Sequence, residues 1–153
     1  MSELQVVVFS LNGQLFGAEA SQVFQIIKYE EATKVPKMPK FIEGILNYRD
    51  SVLPVVNLAR RFDMEEMKTT KKAKILVTKM EDKLVGFIVN DVTEIMKFTD
   101  EEIESVPLLM NSEASAYLKK VGKKNDKLIS FIDLEKVLND NEIKRLSVKT
   151  PKA

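Results

Sequence analysis

Apolar residues along this chain come in short, β-branched runs punctuated by turn residues, a pattern that predicts a protein made mainly of strands. Residues 5–11 read as one strand and residues 14–18 as its return. Asn12-Gly13 between them suits a tight hairpin turn whose two central positions both need positive φ. A second hairpin joins residues 42–48 to residues 52–56 through Arg49-Asp50. Residues 73–80 and 84–89 flank Glu81-Asp82, and residues 116–121 and 128–132 flank a turn holding Gly122, Asn125 and Asp126. Four hairpins in so short a chain favour small barrels over one open sheet.

Helical signals are few. Residues 21–27 suggest one short turn entering a strand, and Thr99-Asp100-Glu101-Glu102 has the spacing of a capping box. Asp133 is placed to cap a final helix through Leu134, Val137 and Leu138, extending to Ile143 and Leu146. Residues 63–70 read as a connector and residues 147–153 as a tail.

The runs also repeat. Val23-Phe24-Gln25-Ile26-Ile27-Lys28-Tyr29 is echoed 69 positions later by Val92-Thr93-Glu94-Ile95-Met96-Lys97-Phe98. Val35-Pro36 returns as Val106-Pro107, and Val56-Asn57-Leu58 as Ile132-Asp133-Leu134, each pair in the same order within its half. Two similar barrels follow, one over residues 1–73 and one over residues 74–146 with the C-terminal helix. A barrel of about 70 residues buries little by itself, so the two are expected to pack together.

Composition then removes most chemistry. The 153 residues hold no histidine, cysteine or tryptophan, which excludes the commonest general base, thiolate nucleophiles, disulfides and zinc–thiolate sites. Neighbouring carboxylates such as Glu30-Glu31 and Glu65-Glu66 point in different directions rather than across a substrate, and the five glycines form no phosphate-binding loop. No enzyme activity, metal or cofactor is expected. No signal peptide or membrane span stands out, which predicts a cytoplasmic protein. With 24 basic and 23 acidic residues there is no concentrated positive field for a polyanion. A small double-barrel nucleic-acid-binding module is the competing reading, and the charge balance and 7% aromatic content count against it.

Binding by surface remains. Ala20, Val23, Ile26 and Ile27 have the spacing of one helical face, echoed by Val92, Ile95 and Met96. A groove between the barrels lined by these residues suits an amphipathic helix. The same residues serve equally well as the cores of the barrels.

The run from Phe41 to Leu58, Phe-Ile-Glu-Gly-Ile-Leu-Asn-Tyr-Arg-Asp-Ser-Val-Leu-Pro-Val-Val-Asn-Leu, resembles the signature of the CheW family of bacterial chemotaxis coupling proteins. Val35-Pro36 upstream, and the runs from Val85 to Val92 and from Ile129 to Leu138 downstream, match the family in order, so the resemblance covers roughly residues 4–140. It implies two SH3-like five-stranded barrels around a joint core, with strand 5–11 able to contribute to both. It implies a non-catalytic adaptor between the regulatory domain of the histidine kinase CheA and the cytoplasmic tip of methyl-accepting chemoreceptors, with self-association in receptor arrays an open option and no membrane insertion. Carried over by position, the receptor surface would hold Ala20, Val23, Gln25, Ile26, Ile27, Arg49 and Val92. The kinase surface would hold Arg49, Asp50 and Val52. Three positions depart from the family pattern: Tyr48 for leucine, Asp50 for glycine and Gln25 for glutamate. Asp50 points either to a turn that needs no positive φ or to a partner surface of changed charge.

Overall fold

A computed structural model describes residues 3–80, 82–105, 118, 120–139 and 141–143. The chain forms β1 (Glu3–Leu11), β2 (Gln14–Glu19), β3 (Gln25–Lys28), β4 (Ile42–Tyr48), β5 (Ser51–Asn57), α1 (Leu58–Arg61), β6 (Lys74–Met80), β7 (Lys83–Val89), β8 (Asp91–Thr99), β9 (Ile103–Ser105), β10 (Lys120–Lys124) and β11 (Lys127–Phe131). Three of the hairpins turn on two residues at positive φ: Asn12-Gly13, Arg49-Asp50 and Asn125-Asp126. Such turns carry the right-handed twist of the flanking strands. Asp50, at φ 65°, therefore does not relieve the turn of positive φ. Gly122 lies inside β10 rather than in a turn, and a Cβ there would strike the rings of Phe131 and Phe98 at 2.5 and 2.7 Å.

The strands make two sheets, ordered β8-β1-β2-β11-β10-β9 and β3-β6-β7-β5-β4. The first sheet runs from β8 through a 3-10 turn, Asp100–Glu102, directly into its opposite edge strand β9. Thr99 N–H donates to Glu102 Oε1 there at 2.9 Å, the expected capping contact. The second sheet is met beyond β4 by Thr33, which exchanges two backbone hydrogen bonds with Ile45 at 2.9 and 2.8 Å, so the chain leaving β3 reaches the far edge. Each sheet thus curls toward closure, one with six strands and the other with five and a bridge.

A cut at residue 73/74 does not follow the sheets. β6 and β7 join β3, β4 and β5, whereas β1 and β2 join β8 to β11. After each long hairpin the chain crosses to the other sheet: β1–β2 leads into β3, and β6–β7 leads through Asn90 into β8. The echo survives this exchange. β3 and β8 hold equivalent edges, and β5 and β11 run parallel to β7 and β2 before Asn57 and Asp133 each cap a helical turn.

Strand periodicity explains the apolar runs. In β1, Val6 and Val8 enter the core of the first sheet, while Val7, Phe9 and Leu11 enter a central cluster with Leu76, Val85, Phe87 and Val89 of the second. In β6, Ile75 and Val77 face the second sheet's own core and Leu76 faces the central one. Strands buried on both faces read as continuous apolar runs rather than alternating ones. β1 is shared in this sense only, since its strand partners are β2 and β8.

The expected C-terminal helix is interrupted at residues 137–139. Leu134–Lys136 is a 3-10 turn, and a separate helical start at residues 141–143 is held by reciprocal 2.8 Å bonds between Asn139 and Glu142. Leu134, Val137, Leu138 and Ile143 all enter the central cluster, so helical spacing is satisfied without one continuous helix. Residues 106–117, Leu146 and the tail fall outside the described residues, as does half of the expected strand 116–121.

Candidate partner-binding surfaces

The edges β3 and β8 place the expected apolar residues. Ile26 lies opposite Leu76 and Ile95 opposite Val7, and cross-strand partners share a face. Leu76 and Val7 both belong to the central cluster, so Ile26 and Ile95 look toward the junction of the two sheets. Ala20, Val23, Ile26 and Val92 lie partly buried against that cluster. Ile27 and Met96 turn instead into the separate sheet cores. The residues expected on one helical face are therefore divided between a 3-10 turn, Ala20–Gln22, its extended C-cap Val23, and strands, and only part of the set reaches the junction. Gln22 ties this crossover to the C-terminal turn. Its amide donates to Asp133 Oδ1 and accepts from Leu134 N–H, both at 2.9 Å.

Beside β3 stands the β4–β5 turn. The Arg49 guanidinium lies 5.2 Å from the centre of the Tyr48 ring and 6.0 Å from that of Phe24, within cation–π reach of both. Among the described residues it makes no ion pair. Tyr48 packs in the second sheet's core, and its hydroxyl donates to Gln25 Oε1. Asp50 is exposed at the turn and Val52 is 40% exposed on β5. Gln25 and Arg49 thus meet in one cluster with Asp50 in its turn, whereas Val52, opposite Asn47, lies on the other face of the strand pair from Tyr48. Phe24 and Tyr48 complete the cluster and were not expected from sequence. Phe24 carried a signal only as an apolar residue in the echo, and it stands 53% exposed.

Other signature residues hold the local backbone. A Cβ on Gly44, at φ 151°, would lie 2.3 Å from the Thr33 carbonyl oxygen. Asn57 caps α1 by accepting from Arg60 N–H and donates to Glu43, which pairs with Arg60 at 3.3 Å. Arg60 also grips Glu66 with bonds of 2.7 and 2.9 Å, which holds the Glu66 carboxyl below its usual range. No helix among the described residues is long and apolar enough to cross a membrane.

The CheW-like domain family matches residues 5–142. The chain belongs to this family. The chemotaxis protein CheW of Bacillus subtilis is 29% identical over 135 residues, covering 88% of this chain and 86% of that protein. The CheW of Thermotoga maritima is 27% identical over 148 residues, covering 94% and 93%. Among solved structures, the scaffolding protein CheW of Thermoanaerobacter tengcongensis superposes with a TM-score of 0.82 at 30% identity, covering 93% of this chain and 92% of that one. The CheW-like fold accounts for the two mutually packed sheets.

Proposed function

We propose that this protein is a non-catalytic chemotaxis adaptor. It holds the regulatory domain of the kinase CheA and the cytoplasmic tip of chemoreceptors at once, working in the cytoplasm on membrane receptor arrays. The observation that carries this reading is the match to the CheW-like family along nearly the whole chain, combined with an apolar margin where the two sheets meet. Ala20, Val23, Ile26 and Val92 supply the apolar contact for a receptor helix, with Gln25 and Arg49 as polar contacts beside it. Ile27, partly buried against the second sheet's core, supports β3 from beneath. Arg49, Asp50 and Val52 present the kinase-facing turn. An adaptor without a ligand transmits receptor state only if the receptor's states bind it differently or reposition the kinase. A pull-down with a receptor-tip fragment and with the kinase regulatory domain tests the reading. Retention of both is expected, and failure of the folded protein to retain either overturns it.

A further inference from the structure

Two of the positions that depart from the family pattern are bonded to each other. Tyr48 donates its hydroxyl to Gln25 Oε1 across 23 positions of sequence, and its ring lies under the Arg49 guanidinium. We infer that Tyr48 is a positioning residue for the receptor surface, setting both the orientation and the polarity of Gln25. This rests on the adaptor reading above.

The chemistry follows from the side-chain inventory. An amide whose oxygen accepts from Tyr48 has its NH2 group left to offer, and among the described residues that group meets no acceptor. Arg49 beside it offers only donors, held by two aromatic rings. The corner therefore presents donors, and it fits a partner helix that places a carboxylate or a backbone or amide oxygen there. A leucine at position 48 would supply neither the hydroxyl nor the ring, leaving Gln25 free to turn and Arg49 with one stacking partner fewer. Tyr48 is buried and touches no partner; it acts through Gln25 and Arg49.

The test is a double-mutant cycle on the affinity for a receptor-tip fragment, using the full chain as wild type, Tyr48→Phe, Gln25→Ala and the double variant. Tyr48→Phe keeps the ring in the core and beneath Arg49, so the fold is retained. It is expected to weaken binding about three- to ten-fold, the range for one lost hydrogen bond, and to change kinase-domain affinity less than about two-fold. In the Gln25→Ala background the same change should have no further effect. Wild-type affinity in Tyr48→Phe, or losses that multiply in the double variant, overturns the inference. A wild-type protein that binds no receptor fragment instead removes the adaptor reading on which the inference stands.

Discussion

The same corner of the fold is built twice, by different chemistry. Where β3 meets the β4–β5 turn, buried Tyr48 binds Gln25 and carries Arg49. Where β8 meets the β10–β11 turn, the equivalent of Gln25 is Glu94, and it pairs with Lys127 at 3.1 Å with both side chains over 40% exposed. Lys124, in the place of Tyr48, lies 5.8 Å from the Phe98 ring and donates to the Lys97 carbonyl. In the first corner a bond between two neutral side chains, partly buried, sits beneath the Arg49 cation and is held by the sheet core. The second is a solvated ion pair, worth about 0–1 kcal/mol and weakened by salt. One topology thus yields one corner whose polar groups are held in place and another whose charges remain adaptable. Partner recognition is proposed at the first.

Substitutions at a close-packed glycine in each sheet should separate the two sheets most strongly. Gly44→Ala is expected to cost more than about 3 kcal/mol in chemical denaturation, because its Cβ meets main chain at 2.3 Å and its φ is positive. Gly122→Ala meets the rims of two phenylalanine rings, which can shift, so about 1–3 kcal/mol is expected. Equal costs would mean that the Thr33–Ile45 bridge is no stiffer than a side-chain contact.

The polar groups come next. Tyr48→Phe should lower stability by about 1 kcal/mol, with little dependence on salt. Glu94→Gln should cost less than about 0.5 kcal/mol in low salt, with the loss fading near 1 M sodium chloride. Reversed salt sensitivities would undo the contrast between the corners. The smallest effect concerns the turns: Asp50→Gly should raise stability by about 0.5 kcal/mol, since glycine adopts φ 65° without strain but loses more entropy on folding. A destabilised Asp50→Gly would show that the aspartate side chain itself supports the turn.

Local features of this architecture were legible, and distant pairings were not. Asn12-Gly13, Arg49-Asp50 and Asn125-Asp126 announce hairpins because two-residue turns impose a residue-level demand on φ. The repeat of β3 in β8 was visible as sequence. The exchange of hairpins between sheets was not, because nothing in β6 or β7 records that their neighbours are β3 and β5. Leu134, Val137 and Leu138 mislead in another way, since a 3-10 turn and a bend can deliver the same side chains to a core that a helix would. The Tyr48–Gln25 bond joins residues that look unrelated in sequence, one in a strand before a turn and the other on a sheet edge. Val23, Gln25 and Arg49 are proposed for the partner surfaces through the family resemblance alone, and the packing around them was not legible in the sequence.

The central claim is that one chain carries two partner surfaces, adjoining at Arg49, and serves both at the same time. Titrating a receptor-tip fragment into a preformed complex of this protein with the kinase regulatory domain tests it most directly. The account predicts a ternary complex, with Val23→Asp abolishing receptor entry while the kinase complex stays intact. Displacement of the kinase domain by the receptor fragment, or loss of both partners in a folded Val23→Asp protein, would contradict it.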